Sequence, residues 1–354
     1  MMKRILAINP GSTSTKVALY YNKQAIIVET LDHPVKELQR YEHVQEQFDF
    51  RKEVILNLLK AKGISLESLD AVVGRGGLLP PVKSGAYLVN EVMVDRLKNR
   101  PVVEHASNLG ALIAYEIAQE NGIQAYIYDS VAVDELTDIA RISGMPAISR
   151  PSYSHALNAR ATAYKAAEKF GKKYDEMNMI VAHLGGGISI SVHQKGRMID
   201  LNGDEGPFSP ERAGSVPCSE LIDLCYSGQY DRKTMKKMFR GNGGLVAYLG
   251  TVDAREIENM IEQGNHKAAL IYEAMAYQVA KAIGELSTVL KGKVDVIVLT
   301  GGIAYSKMIT DWITERVLFI APVEVMAGEN ELESLAFGTL RVLNGEEKAK
   351  IYTE

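Results

Sequence analysis

The first thirty residues of the chain alternate short apolar segments with polar turns. The apolar segments cover residues 5–9, 16–21 and 25–30, and the first turn is rich in Ser, Thr and Gly. Segments of this length between turn residues predict strands. We therefore expect a three-stranded antiparallel meander at the start of the chain.

Helix-like and strand-like patterns alternate along the rest of the chain, as is typical of an α/β fold. Helical periodicity covers residues 36–61, 108–121, 156–170, 267–290 and 305–316. Short apolar strands are predicted at residues 71–74, 125–128, 179–183, 189–193 and 294–299.

The second half of the chain repeats the opening order of strand, glycine turn and strand. A shift of 174 positions carries Gly11 onto Gly185 and Asn9 onto His183. This repeat predicts a duplicated fold whose glycine turns face one another across a cleft. A third glycine turn, at Gly301 and Gly302, follows another apolar strand. Turns at the carboxyl ends of such strands are where open α/β sheets bind ligands.

The first of these turns, NPGSTSTK, offers groups that suit phosphate oxygens. Gly11 permits a tight turn, Ser12 and Ser14 carry hydroxyl donors, and Lys16 adds a positive charge. The segment is not a Walker loop, because Thr15 stands where that motif requires glycine. From these residues alone, an ordinary polar hairpin remains the alternative.

The second turn contains three adjacent glycines. Gly185, Gly186 and Gly187 follow His183, which we expect to orient the turn. Adjacent glycines lower stability unless the backbone must approach a ligand closely. Taken with the other two glycine turns, they favour a nucleotide clamp.

Charged candidates for catalysis stand beside strands and loops. Arg75 and Asp129 each follow an apolar strand, so we expect both to point into the cleft. Arg212 lies in a loop rich in proline and glycine. Three others are found in the segments TVDAR and GENELES, namely Asp253, Arg255 and Glu331. Most charged side chains lie on the protein surface and only contact solvent. A surface position without a catalytic role therefore stays an alternative for each of these residues.

Composition excludes several classes of protein. The 354 residues favour two domains, and the net charge of −4 offers no basic surface for nucleic acid. The sequence contains no apolar run of about eighteen residues and no signal-peptide core, so we expect no membrane association and a cytoplasmic location. The seven histidines show no zinc-binding spacing. Cys218 and Cys225 are expected to be small core residues in a reducing compartment.

The order of the motifs resembles one known family. NPGSTSTK, GRGG, YDS, HLGGG, ERAGS, TVDAR, TGGI and GENELES occur along nearly the whole chain as in the acetate and butyrate kinases of the actin-like ATPase superfamily, the butyrate kinases most closely. The resemblance implies a duplicated actin-like (ribonuclease H-like) α/β fold, with two lobes of mixed sheets flanked by helices around a central cleft. The implied lobes are residues 1–150, completed by a C-terminal helix at 334–354, and residues 151–333, which carry the nucleotide-binding loops.

The resemblance also implies a reaction and its participants. The γ-phosphoryl group of ATP would move reversibly to the carboxylate of a short-chain fatty acid, with butyrate as first choice, giving an acyl phosphate and ADP with the help of Mg²⁺. Arg75, Asp129 and Arg212 would be catalytic, and Asn9 and Glu331 would lie at the metal. Residues implied to bind the nucleotide and its phosphates are Asn9, Ser12, Ser14, Lys16, His183, Gly185, Gly186, Gly187, Asp253, Arg255, Gly301 and Gly302. A homodimer or higher homo-oligomer is implied as well.

The chain departs from the acetate kinase pattern around the acyl group. PSYSH replaces HGTSH, so Pro151 stands where that family has a histidine. Gly77, Val103 and Gly203 are smaller than the residues around the acetate methyl group, which implies a roomier apolar pocket. Because one buried methylene contributes only about 0.8 kcal/mol, we expect soft discrimination between butyrate, isobutyrate and valerate.

Other functions remain as alternatives. The nearest are kinases for acetate, propionate or branched-chain fatty acids. An actin-like sugar kinase would use Asp129 as a base, and an Hsp70-like ATPase would need a peptide-binding domain, for which the sequence after the clamp is too short. A nicotinamide-dependent dehydrogenase is disfavoured because no GxGxxG follows a strand.

Overall fold

The computed structural model describes residues 2–354. Its strands are β1 (Arg4–Pro10), β2 (Ser14–Tyr21), β3 (Gln24–Asp32), β4 (Ala71–Gly74), β5 (Ala86–Leu88), β6 (Gln124–Tyr128), β7 (Met179–Leu184), β8 (Ile188–Gln194), β9 (Arg197–Asn202), β10 (Val296–Gly301), β11 (Val323–Ala327) and β12 (Lys350–Ile351). Its α-helices are α1 (Val35–Leu38), α2 (Phe48–Ala61), α3 (Glu91–Asn99), α4 (Asn108–Glu120), α5 (Asp138–Arg141), α6 (Ala156–Lys169), α7 (Cys218–Tyr226), α8 (Arg232–Phe239), α9 (Leu245–Leu249), α10 (Ala254–Glu262), α11 (His266–Ser287), α12 (Lys307–Val317) and α13 (Glu331–Leu343). Short 3₁₀ turns lie at Val44–Gln47, Leu66–Ser68, Tyr174–Glu176, Thr288–Leu290 and Gly302–Tyr305.

The chain forms two compact units. The first contains the residues up to Asp134 together with Asn330–Glu354, and the second contains Glu135–Glu329. The family resemblance implied divisions after residues 150 and 333. α13 therefore belongs to the unit that holds the N-terminal strands.

The first unit is built on a seven-stranded mixed sheet in the order β12-β5-β6-β4-β1-β2-β3. β1, β2 and β3 pair antiparallel, which confirms the predicted meander. β1 also pairs in parallel with β4, and β4 with β6. Because β1 lies between two strands and is covered on both faces, its apolar residues are fully buried from Ile5 to Ile8.

The second unit is built on a five-stranded sheet in the order β11-β10-β7-β8-β9. Side chains alternate along β7, so Ile180, Ala182 and Leu184 join the core under α11, while Met179 and Val181 pack against α6. β10 alternates in the same way. The sheet is thus covered by helices on both faces, and α11 is a core helix.

The two sheets share one topology. β3-β2-β1-β4-β6 in the first unit and β9-β8-β7-β10-β11 in the second have the same order and the same strand directions. The shift of 174 positions carries the end of β1 at Pro10 onto the end of β7 at Leu184, and the start of β2 at Ser14 onto the start of β8 at Ile188. The duplication predicted from the turns is present in the backbone.

Two sequence expectations were wrong. The helix expected over residues 36–61 is divided into α1, the 3₁₀ turn and α2, because His43 is extended and caps the turn with Glu46. Cys218 and Cys225 are exposed rather than core residues, since α7 has no buried residue. Within residues 2–354, no helix combines the length and apolar character needed to cross a lipid bilayer.

Candidate active site

Asn9 and Arg75 meet at one edge of the first sheet because their strands are parallel neighbours. Ile8 of β1 is paired with Gly74 of β4, and the Arg75 N–H donates to the Ile8 carbonyl at 2.9 Å. Both side chains therefore leave the carboxyl ends of their strands together. This is the position at which α/β sheets place ligand-binding groups.

Glu331 joins these two side chains. It is the first residue of α13, and its carboxylate accepts a hydrogen bond from Asn9 Nδ2 on one oxygen and from Arg75 Nη1 on the other. Arg75 and Glu331 are 19% and 18% exposed, so solvent screens the pair only in part. The three residues form one polar cluster.

A cavity of about 310 Å³ opens beside this cluster. It brings together six predicted residues of the first unit, and its lining is Asn9, Pro10, Gly11, Ser12, Ser14, Lys16, Arg75, His105, Ser107 and Glu331. His105 and Ser107 were missed by the sequence analysis. His105 Nδ1 lies 2.8 Å from Ser107 Oγ just before α4. The two residues are close in sequence, and this spacing is the one sequence signal that could have indicated their contact.

The turn between β1 and β2 rests on a buried polar layer. Thr15 Oγ1 lies 2.8 Å from His33 Nε2, and Arg51 Nη1 donates to the same hydroxyl at 3.1 Å. Burial lowers the pKa of His33 to about 4, with a further contribution from the positive charge of Arg51. His33 is therefore neutral at physiological pH.

Asp129 follows β6 and faces the neighbouring strand. Its carboxylate accepts the Gly85 N–H at 2.7 Å, and its own N–H donates to the Gly85 carbonyl at 3.3 Å. The φ angle of Asp129 is +40°, a conformation that costs energy for a residue with a side chain and is common at functional sites. Asp129 does not line the 310 Å³ cavity, and its catalytic role stays a prediction.

Gly77 and Val103, the predicted pocket residues of this unit, are linked by Asn108. The Asn108 side chain accepts the Leu78 N–H at 2.9 Å and donates to the Val103 carbonyl at 2.9 Å. A Cβ atom at Gly77 would lie 2.4 Å from Asn108 Oδ1. Gly77 is therefore required for close packing, and its missing side chain does not by itself enlarge a pocket.

In the second unit, His183 is held in one tautomer at the end of β7. Asn158 Nδ2 can only donate, so His183 Nδ1, 2.7 Å away, accepts and the proton is on Nε2. That Nε2 lies 3.1 Å from Glu329 Oε1, and the ring stacks on His155 at 3.9 Å. These contacts fix the His183 ring, and its role in orienting the glycine turn stays a prediction. Glu329 is a partner that the sequence analysis missed.

Arg212 lies directly against the glycine turn. A Cβ atom at Gly187 would lie 2.3 Å from Arg212 Cζ, so only glycine allows the guanidinium to cross here. Arg212 Nη1 donates to Asp204 Oδ1 at 2.6 Å. Burial lowers the pKa of Arg212, while Asp204 opposes that shift. The backbone of the turn is held by Ser209 Oγ, which donates to the Gly186 carbonyl at 2.7 Å.

The third glycine turn adjoins the same strand. Gly301 exchanges two backbone hydrogen bonds with Gly328, at 3.2 and 2.9 Å, and a Cβ atom on Gly301 would lie 2.3 Å from the Leu184 carbonyl oxygen. Gly302 is exposed, with open space where a Cβ atom would stand. Gly185–Gly187, Arg212 and Gly301 thus surround the carboxyl ends of β7 and β10.

The remaining predicted residues of the second unit make contacts with residues outside the glycine turns. Asp253 caps α10 and pairs with Arg255, whose hydrogen bonds lower the Asp253 pKa to about 2. Gly203 packs against the Tyr153 carbonyl oxygen, 2.6 Å from where its Cβ atom would be. Pro151 is exposed. The ligand-binding roles of Asp253, Arg255 and Gly203 stay predictions.

The donor set around Glu331 fits magnesium. Mg²⁺ prefers oxygen ligands and is usually held by one or two carboxylates together with substrate phosphates. Glu331 offers a carboxylate, and Asn9 keeps its amide oxygen while its nitrogen donates to Glu331. Within residues 2–354, no cluster of three His, Cys, Asp or Glu residues could hold a metal by itself. An ion here would therefore complete its coordination with a nucleotide.

The sequence model of the acetokinase family matches residues 153–335, slightly more than half of the chain. The chain belongs to the acetokinase family. Members of this family are carboxylate kinases that use ATP and ADP. The matched range in this acetokinase-family chain includes His183, the second and third glycine turns, Arg212 and Glu331.

Solved structures of the same fold extend over almost the whole chain. Acetate kinase from Porphyromonas gingivalis is 20% identical with a TM-score of 0.82, covering 96% of this chain and 100% of that chain. A propionate kinase from Francisella tularensis is 20% identical with a TM-score of 0.77, covering 95% and 99%. A ROK family protein from Streptococcus pneumoniae, in complex with sucrose, is 12% identical with a TM-score of 0.53, covering 97% and 100%. These likenesses establish the actin-like ATPase fold.

Proposed function

We propose that this chain is a butyrate kinase, which transfers the γ-phosphoryl group of ATP reversibly to butyrate and forms butyryl phosphate and ADP. The observation that carries the proposal is the cluster of Asn9, Arg75 and Glu331 beside a cavity lined by hydroxyl groups and Lys16. Such groups bind and neutralise phosphoryl oxygens. Membership of a carboxylate kinase family supplies the acceptor class.

A carboxylate acceptor explains which chemistry the residues must perform. A fatty-acid carboxylate is already ionised at neutral pH, so no side chain has to remove a proton from the nucleophile. Catalysis then consists of positioning and charge neutralisation. Arg75 and Arg212 are proposed to stabilise the equatorial oxygens of the transferring group, and Asp129 to orient rather than abstract.

The partners of the two arginines support this assignment. Glu331 fixes Arg75, and Asp204 fixes Arg212, so each guanidinium is held before a substrate arrives. Preorganised cations of this kind lower the barrier because they need no rearrangement as charge moves. Mg²⁺ would be held by Glu331 and Asn9 and would neutralise phosphate charge.

Nucleotide binding is assigned to the glycine turns of the second unit. Gly185–Gly187 and Gly301–Gly302 have no side chains, so their backbone can approach phosphates closely. His183, fixed by Asn158 and Glu329, supports the first turn. Asp253 and Arg255 are proposed to bind on the adenosine side.

The acyl specificity is proposed from the segments that carry Gly77 and Val103. Asn108 holds them together, and Val103 is 54% exposed, so its side chain is proposed to contact an acyl chain longer than acetate. Gly203 is proposed to lie beside the same acyl chain. Since each methylene is worth about 0.8 kcal/mol, the preference for butyrate over acetate should be on the order of tenfold.

Trapping of the product tests the proposal. The protein is incubated with ATP, Mg²⁺ and each straight or branched C2–C6 carboxylate, and hydroxylamine converts any acyl phosphate to a hydroxamate. Formation of butyrohydroxamate at the highest kcat/KM supports the assignment. A higher kcat/KM for acetate or propionate would replace butyrate with that acid, and phosphorylation of sugars without any hydroxamate would reject the reaction itself.

Assembly is part of the proposal. We infer a homodimer or higher homo-oligomer, supported by exposed apolar side chains on α7, where Ile222 is 57% and Tyr226 is 88% exposed. Light scattering after size exclusion tests it, and a mass of one chain at micromolar concentration would reject it.

A further inference from the structure

Arg51 is a charged side chain in the interior of the first unit. It lies on α2 and is fully buried, with an exposure of 0%. A buried charge is costly unless it is well hydrogen-bonded, and it is usually paired with a carboxylate. Burial lowers the pKa of Arg51 to about 10, which still leaves the guanidinium charged at neutral pH.

The guanidinium is held by neutral oxygens of one loop. Its carbonyl acceptors are Gly11 at 2.9 Å, Ser12 at 3.1 Å and Ser14 at 3.1 Å. The Thr15 hydroxyl and the Gln47 amide oxygen complete the set. Among the described residues, every acceptor of Arg51 is thus uncharged. No hydrogen-bonded carboxylate in that part of the chain neutralises the positive charge of its guanidinium.

The position of these carbonyls determines where the N–H groups of the loop point. In a trans peptide the carbonyl of one residue and the N–H of the next point in opposite directions. Because Arg51 draws the Gly11 and Ser12 carbonyls inward, the N–H groups of Ser12 and Thr13 point away from it. Neither N–H has an acceptor within residues 2–354. Both are therefore available to an anion.

We propose that Arg51 is a positioning residue, which turns the 11–15 loop so that the Ser12 and Thr13 N–H groups bind a phosphate oxygen. Successive backbone N–H groups of this kind form anion-binding nests. The uncancelled charge behind the loop strengthens the attraction, because little solvent lies between to screen it. The identity of the anion as a phosphoryl group of ATP or acyl phosphate rests on the proposed function.

Two substitutions separate the shape of the guanidinium from its charge. Arg51→Lys keeps the charge but cannot reach three diverging carbonyls, so we expect the KM for ATP to rise about tenfold or more. Arg51→Gly removes the side chain and leaves room for guanidinium ion, which should restore the KM of that variant toward the wild-type value. A loss of stability alone would lower the amount of folded enzyme and leave the KM of the folded fraction unchanged.

Arg160 provides the matched control. It is 3% exposed in the second unit and contacts Glu135 and the Gly196 carbonyl. Arg160→Lys and Arg160→Gly should lower stability and leave the KM for ATP within about twofold of the wild-type value. If the Arg160 variants raised the KM as much as the Arg51 variants, the positioning role of Arg51 would be rejected.

A direct measurement needs no turnover. Inorganic phosphate is titrated into ¹⁵N-labelled protein while the amide resonances of Ser12 and Thr13 are followed. The inference predicts downfield proton shifts at both amides in the wild type and their loss in Arg51→Lys. Absence of shifts in the wild type, or equal shifts in the variant, overturns it. Shifts in a protein that forms no acyl phosphate would support the Arg51 inference and reject the proposed function.

Discussion

Glu331→Gln tests the central polar cluster with the smallest change of shape. The carboxylate accepts from Asn9 and Arg75 at once, whereas an amide offers one acceptor and turns two N–H donors toward one of these partners. Exposed ion pairs contribute roughly 0.2–1 kcal/mol, and breaking a buried pair costs roughly 3–5 kcal/mol. At 19% and 18% exposure, we expect Glu331→Gln to lower the free energy of unfolding by about 1–3 kcal/mol.

The same change should reduce catalysis, because Arg75 loses the group that holds it and the proposed magnesium site loses its carboxylate. Partners that orient active-site groups are worth about 10- to 100-fold, so we expect kcat to fall by that amount. Urea unfolding and steady-state kinetics measure the two effects. Asp311→Asn is the control, since Lys307 and Asp311 form a pair that is 85% and 60% exposed. Equal stability losses in both variants, with unchanged kcat in Glu331→Gln, would refute the reasoning.

Three further changes probe other contacts. Gly187→Ala should displace Arg212, 2.3 Å from the new Cβ atom, and lower kcat about 100-fold, and the KM for ATP should rise as well because the same turn is proposed to bind the nucleotide. His33→Gln should reduce the loss of stability on acidification. The pKa of buried His33 is about 4, against 6.5 in the unfolded chain. The unfolded chain therefore binds a proton at His33 before the folded chain does, which lowers the free energy of unfolding as pH falls from 6.5 toward 4. Gly77→Val should displace Asn108 and raise the KM for butyrate more than that for acetate.

Each of these has its own control and contrary result. Gly284→Ala, at a helix position with open space around the new Cβ atom, should leave kcat unchanged, and an equal fall there would remove the Arg212 explanation. For His33, the pH dependence is measured as the difference in unfolding free energy between variant and wild type, and parallel curves from pH 7 to 4 would contradict the low pKa. Equal effects of Gly77→Val on butyrate and acetate would reject its place beside the acyl chain.

Local pattern was sufficient for the framework of the fold. Strand alternation and glycine turns predicted the meander and the duplication, because both depend on residues adjacent in sequence. The sequence placed Asn9 and Arg75 each at the end of an apolar strand, but that the two side chains meet follows from the parallel pairing of β1 with β4 in the structure. The position of Glu331 beside them depended on resemblance, because some 256 residues separate it from Arg75.

Tertiary contacts decided what the sequence could not predict. Arg51 occupies one polar position in a helical pattern, and nothing nearby in sequence indicates that the 11–15 loop covers it. Glu329 stands two residues before Glu331, yet only the fold brings it to His183. Gly77 suggested open space, whereas the packing of α4 fills it. In each case a distant segment determines the environment.

Transfer of an oxygen atom tests the nucleophile most directly. Butyrate labelled with ¹⁸O at both carboxylate oxygens is incubated with ATP, the protein and hydroxylamine. Hydroxylamine attacks the carbonyl carbon of butyryl phosphate, so the phosphate that leaves retains the bridging oxygen. The account predicts one ¹⁸O atom in the inorganic phosphate, seen as an isotope shift in the ³¹P spectrum. Phosphate released without ¹⁸O would show that the carboxylate does not attack phosphorus, and would contradict the account.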